Sequence, residues 1–168
     1  MKFAFTVFLA LVLLTLESVL IKYLHFSVTR IDVTVALITF LALRAGTLEG
    51  AFSSFAIGYL LDLSSGHSTG LYTFLGVLTF LLVRVGNSLV DVRSGVGFSI
   101  FAMGADIGHF LLAIFFTWLS SKEAHLSAAF WTGMPLQVVL TGLAAWLLYP
   151  LLRKVDPGNE RPHMGTLR

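Results

Sequence analysis

Apolar residues fall into six runs separated by short polar breaks, at 3–21, 31–43, 48–63, 70–85, 95–119 and 128–152. About 20 consecutive apolar residues are needed for a helix to cross the hydrocarbon of a bilayer. The pattern predicts an all-α integral membrane protein, a six-transmembrane-helix bundle over residues 1–155. The second run is short: it either borrows from residues 25–28 or does not span the full thickness. Pro135 lies near the start of the sixth run, where a kink or a broken first turn is expected. The polar tail, 156–168, contains proline and glycine and is expected to be a flexible cytoplasmic segment. At the N-terminus, Met1 and Lys2 lead into an apolar run in the manner of a signal sequence. No small-x-small cleavage site follows Leu16, so the run reads as a retained first helix.

One periodicity inside the third run stands out. Gly46, Gly50, Ser54, Gly58 and Asp62 recur every fourth residue. Four residues advance a helix by about 400°, so the five positions form one slowly drifting stripe. Four of them carry almost no side chain. In a water-exposed helix such glycines would be unfavourable, but in lipid they let a second helix approach closely. The stripe is expected to press against a neighbour, either a helix of this chain or the transmembrane helix of another protein.

Composition and charge sharpen this picture. The chain is 57% hydrophobic and 12% charged, with a mean hydropathy of +0.88, against roughly 25% charged in an ordinary globular domain. There is no cysteine, which excludes disulfides, thiolate nucleophiles and cysteine-based metal sites. Six spans put both termini on one side. That side then holds Lys2, Arg44, Arg84, Arg93, Arg153, Lys154, Arg161 and Arg168, while Lys22, Arg30 and Lys122 lie opposite. The excess of basic residues places both termini in the cytoplasm. Trp118 and Trp131 flank the last outer turn, and Trp146 and Tyr149 approach the inner surface, as in an aromatic belt.

Ionisable groups inside apolar runs are the first candidates for function, because hydrocarbon disfavours charge. Asp106 and His109 lie near the middle of the fifth run, three residues apart on one helix face. Gly104 and Gly108 form a G-x-x-x-G beside them. They read either as a proton-linked or ligand-binding pair or partner contact, or as a tightly buried pair fixing helix register. Glu17, Lys22, Arg30, Asp32, Asp62 and His67 fall toward the outer side, where Asp62 is expected to meet Arg30 or Lys22. That cluster either caps a cavity or receives a partner, or it reaches interfacial water with Asp32 as N-cap of the second helix. The segment 86–94 is expected to be cytoplasmic, either a plain connector or a contact for a soluble partner.

No loop is long enough to fold alone, so function is confined to the bundle and its surfaces. H-E-x-x-H, G-x-S-x-G and a phosphate-cradling loop are absent from the sequence. An intramembrane aspartyl protease would need two carboxylates in one site. Asp62 at the outer edge and Asp106 near mid-membrane are expected to be too far apart. The chain is therefore expected to be non-enzymatic, with no cofactor, no metal and no nucleic-acid partner.

The run G-A-F-S-S-F-A-I-G-Y-L-L-D from Gly50 to Asp62, followed by G-L-Y-T-F-L-G from Gly70 to Gly76, resembles the bacterial rod shape-determining protein MreD family. Members have a glycine-spaced third helix closing in G-[LY]-L-x-D, then a polar turn and a G-x-x-x-L-type fourth helix. Arg30-Ile31-Asp32 is similar to the family's R-P-D-L before the second helix, with Ile31 in place of proline. The resemblance implies a non-enzymatic component of the inner membrane that acts in cell elongation and lateral peptidoglycan synthesis. It implies binding of the single-pass protein MreC and, through it, of the actin-like MreB and the RodA–PBP2 synthase. The family's fold is similar to the six-helix S component of ECF transporters, which leaves a solute-binding subunit as the alternative. On either reading the glycine stripe, Gly104, Gly108 and the polar residues Arg30, Asp32, Asp62, Asp106 and His109 are the positions of interest.

Overall fold

The computed structural model describes residues 3–24, 32–65, 70–87, 92, 94–120 and 128–155. Of these, 3–6, 17–18, 20–24, 65, 120, 128–132 and 155 are described by backbone alone. The described residues form six helices and no strand: α1 (Phe3–Leu24), α2 (Val33–Arg44), α3 (Thr47–Ser65), α4 (Leu71–Asn87), α5 (Gly95–Ser120) and α6 (Ala128–Val155). The all-α reading and the six elements hold. Among the described residues, two helices are long and apolar enough to cross a membrane, over Gly95–Leu119 and Gly133–Lys154; the apolar stretches Val7–Leu16, Val33–Arg44 and Leu71–Asn87 are shorter.

Local chemistry sets the helix ends. Asp32 caps α2, its Oδ1 accepting from the Val35 N–H at 3.3 Å, and Ser94 caps α5 through the Gly97 N–H at 3.0 Å. Gly70 precedes α4 at φ +102°, a conformation that glycine adopts without strain. Helix α6 runs through both Pro135 and Pro150. Each proline removes one N–H from the helical ladder, yet the helix is not interrupted at Pro135.

The bundle is built around α2. All its residues from Thr34 to Ala42 are buried, and it touches each of the other five helices. A helix apolar on every side is stable only when surrounded. Helices α3 and α4 form one closely packed pair, α5 and α6 another, and α1 packs on α2 and α3. With 12 residues, α2 is about 18 Å long, well short of the ~30 Å of a bilayer's hydrocarbon. Its C-terminal end lies beside the start of α3 and the last turn of α4, where Arg84 reaches it. At its other end the Asp32 N–H donates to the Thr141 hydroxyl at 3.1 Å, and Thr141 is at the middle of α6. The short second run is thus a half-length helix. Asp32 lies at mid-height, not at the outer edge where a spanning second helix would have put it.

Many polar side chains are buried beside the apolar core, while many large apolar ones face outward. Thr34, Thr39, Ser53, Ser54, Asp62, Thr73, Thr79, Asp106, His109 and Thr141 are all buried. Leu48, Phe52, Phe55, Tyr59 and Leu63 run exposed down α3, and Ile100, Ile107, Leu111, Phe115 and Trp118 run exposed down α5. A surface with this much contiguous apolar area is unsuited to water.

Candidate functional site

The glycine stripe is a seam between α3 and α4. A Cβ placed on Gly58 would lie 2.6 Å from Thr73 Cα and 2.9 Å from the Tyr72 carbonyl carbon. One on Gly76 of α4 would lie 3.0 Å from the Ser54 carbonyl oxygen and 3.6 Å from Gly58 Cα. The two backbones are therefore in direct contact, which only bare positions allow. Further along, Gly50 makes room for the Phe80 ring, 2.6 Å from the site of its missing Cβ. Gly46 is the exception: it precedes α3, is exposed, and has nothing within 4 Å of where a Cβ would stand. Of the two neighbours open to the stripe, the structure puts this chain's own α4 against it.

Asp62 completes the seam. Its oxygens accept from the Tyr72 N–H at 3.0 Å, the Thr73 N–H at 2.8 Å and the Thr73 hydroxyl. These are donors of the first turn of α4, which have no partner within their own helix. Asp62 thus caps α4 from α3, and its chemistry is spent on structure. Arg30, the partner expected for it, lies outside the described residues, as do His67, Lys122 and the tail, and the side chains of Glu17, Lys22 and Trp131.

The other end of α2 is closed by Arg84. Its guanidinium donates to the carbonyls of Ala42 at 3.0 Å and Ala45 at 2.6 Å, and to the Thr47 hydroxyl at 3.2 Å. The last carbonyls of a helix lack intrahelical partners, and the guanidinium supplies donors at that end. In the sequence Arg84 serves only to orient the chain. The signal for its capping role is its place in the last turn of an apolar run, opposite a short buried helix.

Asp106 and His109 do not act as a pair. The His109 ring shares a hydrogen bond with the Thr79 hydroxyl of α4, Nδ1 to Oγ1 at 2.8 Å. Asp106 turns the other way, toward α6 and the start of α2. Three residues along a helix advance 300°, enough for two buried side chains to serve different neighbours. Asp106 is 1% exposed, and neither of its oxygens has a hydrogen-bond partner. Thr141 and Gln137 of α6 and the Asp32 carboxyl are the polar groups around it. Asp32 and Asp106, not Asp62 and Asp106, are the two carboxylates that come together. The expectation that Asp32 falls toward the outer side hides that pairing.

The G-x-x-x-G of α5 also differs from expectation. Gly104 is exposed, with nothing within 4 Å of where a Cβ would stand, and Gly108 has only Leu82 Cδ2 of α4, at 4.0 Å. The tight α5–α6 contact is made elsewhere. There Gly142 makes room for Met103, whose Cγ is 2.6 Å from the site of a Cβ, and the Ser99 hydroxyl donates to the Gly142 carbonyl at 2.6 Å. Gly104 is thus a bare notch in an outward apolar face, between Ile100, Ile107 and Leu111.

Three features result: a sealed α3–α4 seam, an unpartnered carboxylate at the end of a half-length helix, and an open notch on α5. Compared with protein-family models, with curated proteins and with solved structures, the chain matches none.

Proposed function

We propose that this chain is a multi-pass protein of a bacterial inner membrane, with both termini in the cytoplasm. Its role would be a non-enzymatic scaffold of the rod, or cell-elongation, complex. It would hold the transmembrane helix of an MreC-like single-pass protein and so support lateral peptidoglycan synthesis, with MreB and the RodA–PBP2 synthase as indirect partners. The family part of this reading rests on the residue pattern from Arg30 to Gly76. The membrane part is supported by polar side chains buried inside and large apolar ones outside. Its orientation is supported by Arg44, Arg84, Arg153 and Lys154, which all sit in the last turns of even-numbered helices.

The observation that carries the docking role is the notch at Gly104. The stripe on α3 is filled by α4, so it offers no groove to a partner. Gly104 offers bare backbone on an outward face, which is the surface that helices use to associate in lipid. Purification of the tagged chain from native membranes in mild detergent tests the reading. Co-purification of a protein with one transmembrane helix, reduced about tenfold or more by Gly104→Leu, is expected. Unchanged recovery with Gly104→Leu would contradict it.

A second reading has its own observation. A solute-binding subunit of the ECF type would need a polar site inside the bundle, and the end of α2 beside Asp106 is one. Co-purification of a pair of ATPases instead of a single-pass protein would favour that reading.

A further inference from the structure

We propose that Asp106, Asp32, Gln137 and Thr141 form a binding site for a small monovalent metal cation, of sodium size, at mid-height of the bundle. The inference is independent of the docking role. It starts from Asp106, which is 1% exposed with both oxygens unpartnered. A carboxylate buried in this way is retained only with compensation. No basic side chain among the described residues supplies it. Arg84 is engaged at the opposite end of α2, and Arg44, Arg153 and Lys154 stand in the last turns of α2 and α6. His109 is turned to Thr79 on α4.

The groups that do surround Asp106 are all oxygen-bearing. Gln137 and Thr141 are one turn apart on the same side of α6. The Asp32 carboxyl stands at the N-terminus of α2, where its Oδ1 accepts from the Val35 N–H, and it neighbours Asp106. Thr141 Oγ1 accepts from the Asp32 N–H, which fixes its position. Two carboxylates, a hydroxyl and an amide make a hard-oxygen donor set, with no imidazole or sulfur ligand to favour a transition metal. Two carboxylates are few for calcium, and magnesium demands near-ideal octahedral geometry and keeps several waters. The positive end of α2 further reduces the charge to be balanced. A shared proton and a monovalent metal cation leave the same net charge on the two carboxylates, but a metal cation takes several oxygen ligands at once and so engages the hydroxyl and the amide as well. Helices that stop at mid-height line ion sites in membrane bundles for this reason: they bring polar ends into a region that otherwise has none.

The test is thermal unfolding of the full chain in nanodiscs, at constant ionic strength, in sodium, potassium or choline chloride. At a hundredfold excess over Kd, sodium is expected to raise the midpoint by about 5–10 °C relative to choline. The rise is expected to disappear in Asp106→Asn. If that variant fails to fold, Thr141→Val and Gln137→Leu keep both charges and test the neutral ligands; each should weaken the sodium response at least threefold. Equal midpoints in all three salts would overturn the proposal. So would a midpoint that responds only to acidification, which would make a proton the occupant. A full sodium response in both Thr141→Val and Gln137→Leu would overturn it as well.

Discussion

The Asp32 N–H donates to the Thr141 hydroxyl at 3.1 Å, and this contact marks the height at which α2 stops. Thr141 lies at the middle of α6 and Asp106 near the middle of α5. A helix that ends there leaves polar backbone inside an apolar bundle, where an unpaired group is strongly unfavourable. The chain responds at both ends of α2. Asp32 and Thr141 take the N-terminus, and Arg84 takes the C-terminus. The polar groups at mid-height of the bundle are there because its central helix is short.

Removing the C-terminal closure should therefore be costly. Arg84→Leu is expected to destabilise the protein by about 1–3 kcal/mol, because the Ala42 and Ala45 carbonyls lose a charged donor. Arg84→Lys should recover part of this, since an ammonium cannot reproduce the planar fork. Thermal unfolding in detergent measures the ranking. Wild-type stability in Arg84→Leu would show that α2 does not need this cap.

The seam between α3 and α4 makes a graded prediction. Gly58→Leu should cost about 3 kcal/mol or more, because backbone atoms of Tyr72 and Thr73 occupy the space. Gly50→Ala should cost less, since the obstacle is the edge of the Phe80 side chain and not backbone. Gly46→Ala should be neutral, with nothing near it. Unfolding midpoints of the three variants in one detergent give the order; equal effects at Gly46 and Gly58 would contradict the seam.

Asp62 should behave as a cap for a helix other than its own. Asp62→Ala is expected to cost about 1–3 kcal/mol and to speed amide exchange at Tyr72 and Thr73, whose N–H groups it accepts. Thr73→Val removes a single donor, the hydroxyl, and should cost less. Hydrogen exchange followed by mass spectrometry reads both; unchanged exchange at the start of α4 in Asp62→Ala would rule out the cap.

His109 and Thr79 should be energetically coupled and independent of Asp106. Each of His109→Phe and Thr79→Val leaves one buried partner unsatisfied, at about 1–3 kcal/mol, and the double variant should cost less than their sum. A double-mutant cycle on unfolding free energies supplies the coupling. Additivity would contradict the hydrogen bond.

Much of the architecture is legible in the sequence. Six apolar runs become six helices, and the four-residue spacing of Gly50, Ser54 and Gly58 marks a close helix contact. What the spacing does not carry is which helix lies opposite, because a bare face accepts any neighbour. The 31–43 run does not announce that it is enclosed on all sides; length alone hints at it. The grouping of Asp32 with Asp106 depends on where α2 stops, and so does not follow from sequence position. Asp106 and His109 read as a pair because they are three residues apart. Their different partners reflect the angle between buried neighbours, which a one-dimensional pattern does not specify.

The central claim is that the outward face of α5 at Gly104 seats a partner's transmembrane helix. Photo-crosslinking in living cells tests it most directly, with a photoreactive residue placed in turn at Ile107, at Leu111, and at buried Ala102 as a control. An adduct with one single-pass membrane protein is predicted from Ile107 and Leu111, lost when Gly104→Leu is added, and none from Ala102. Adducts with lipid alone at Ile107 and Leu111, while the single-pass protein crosslinks from another face, would contradict it.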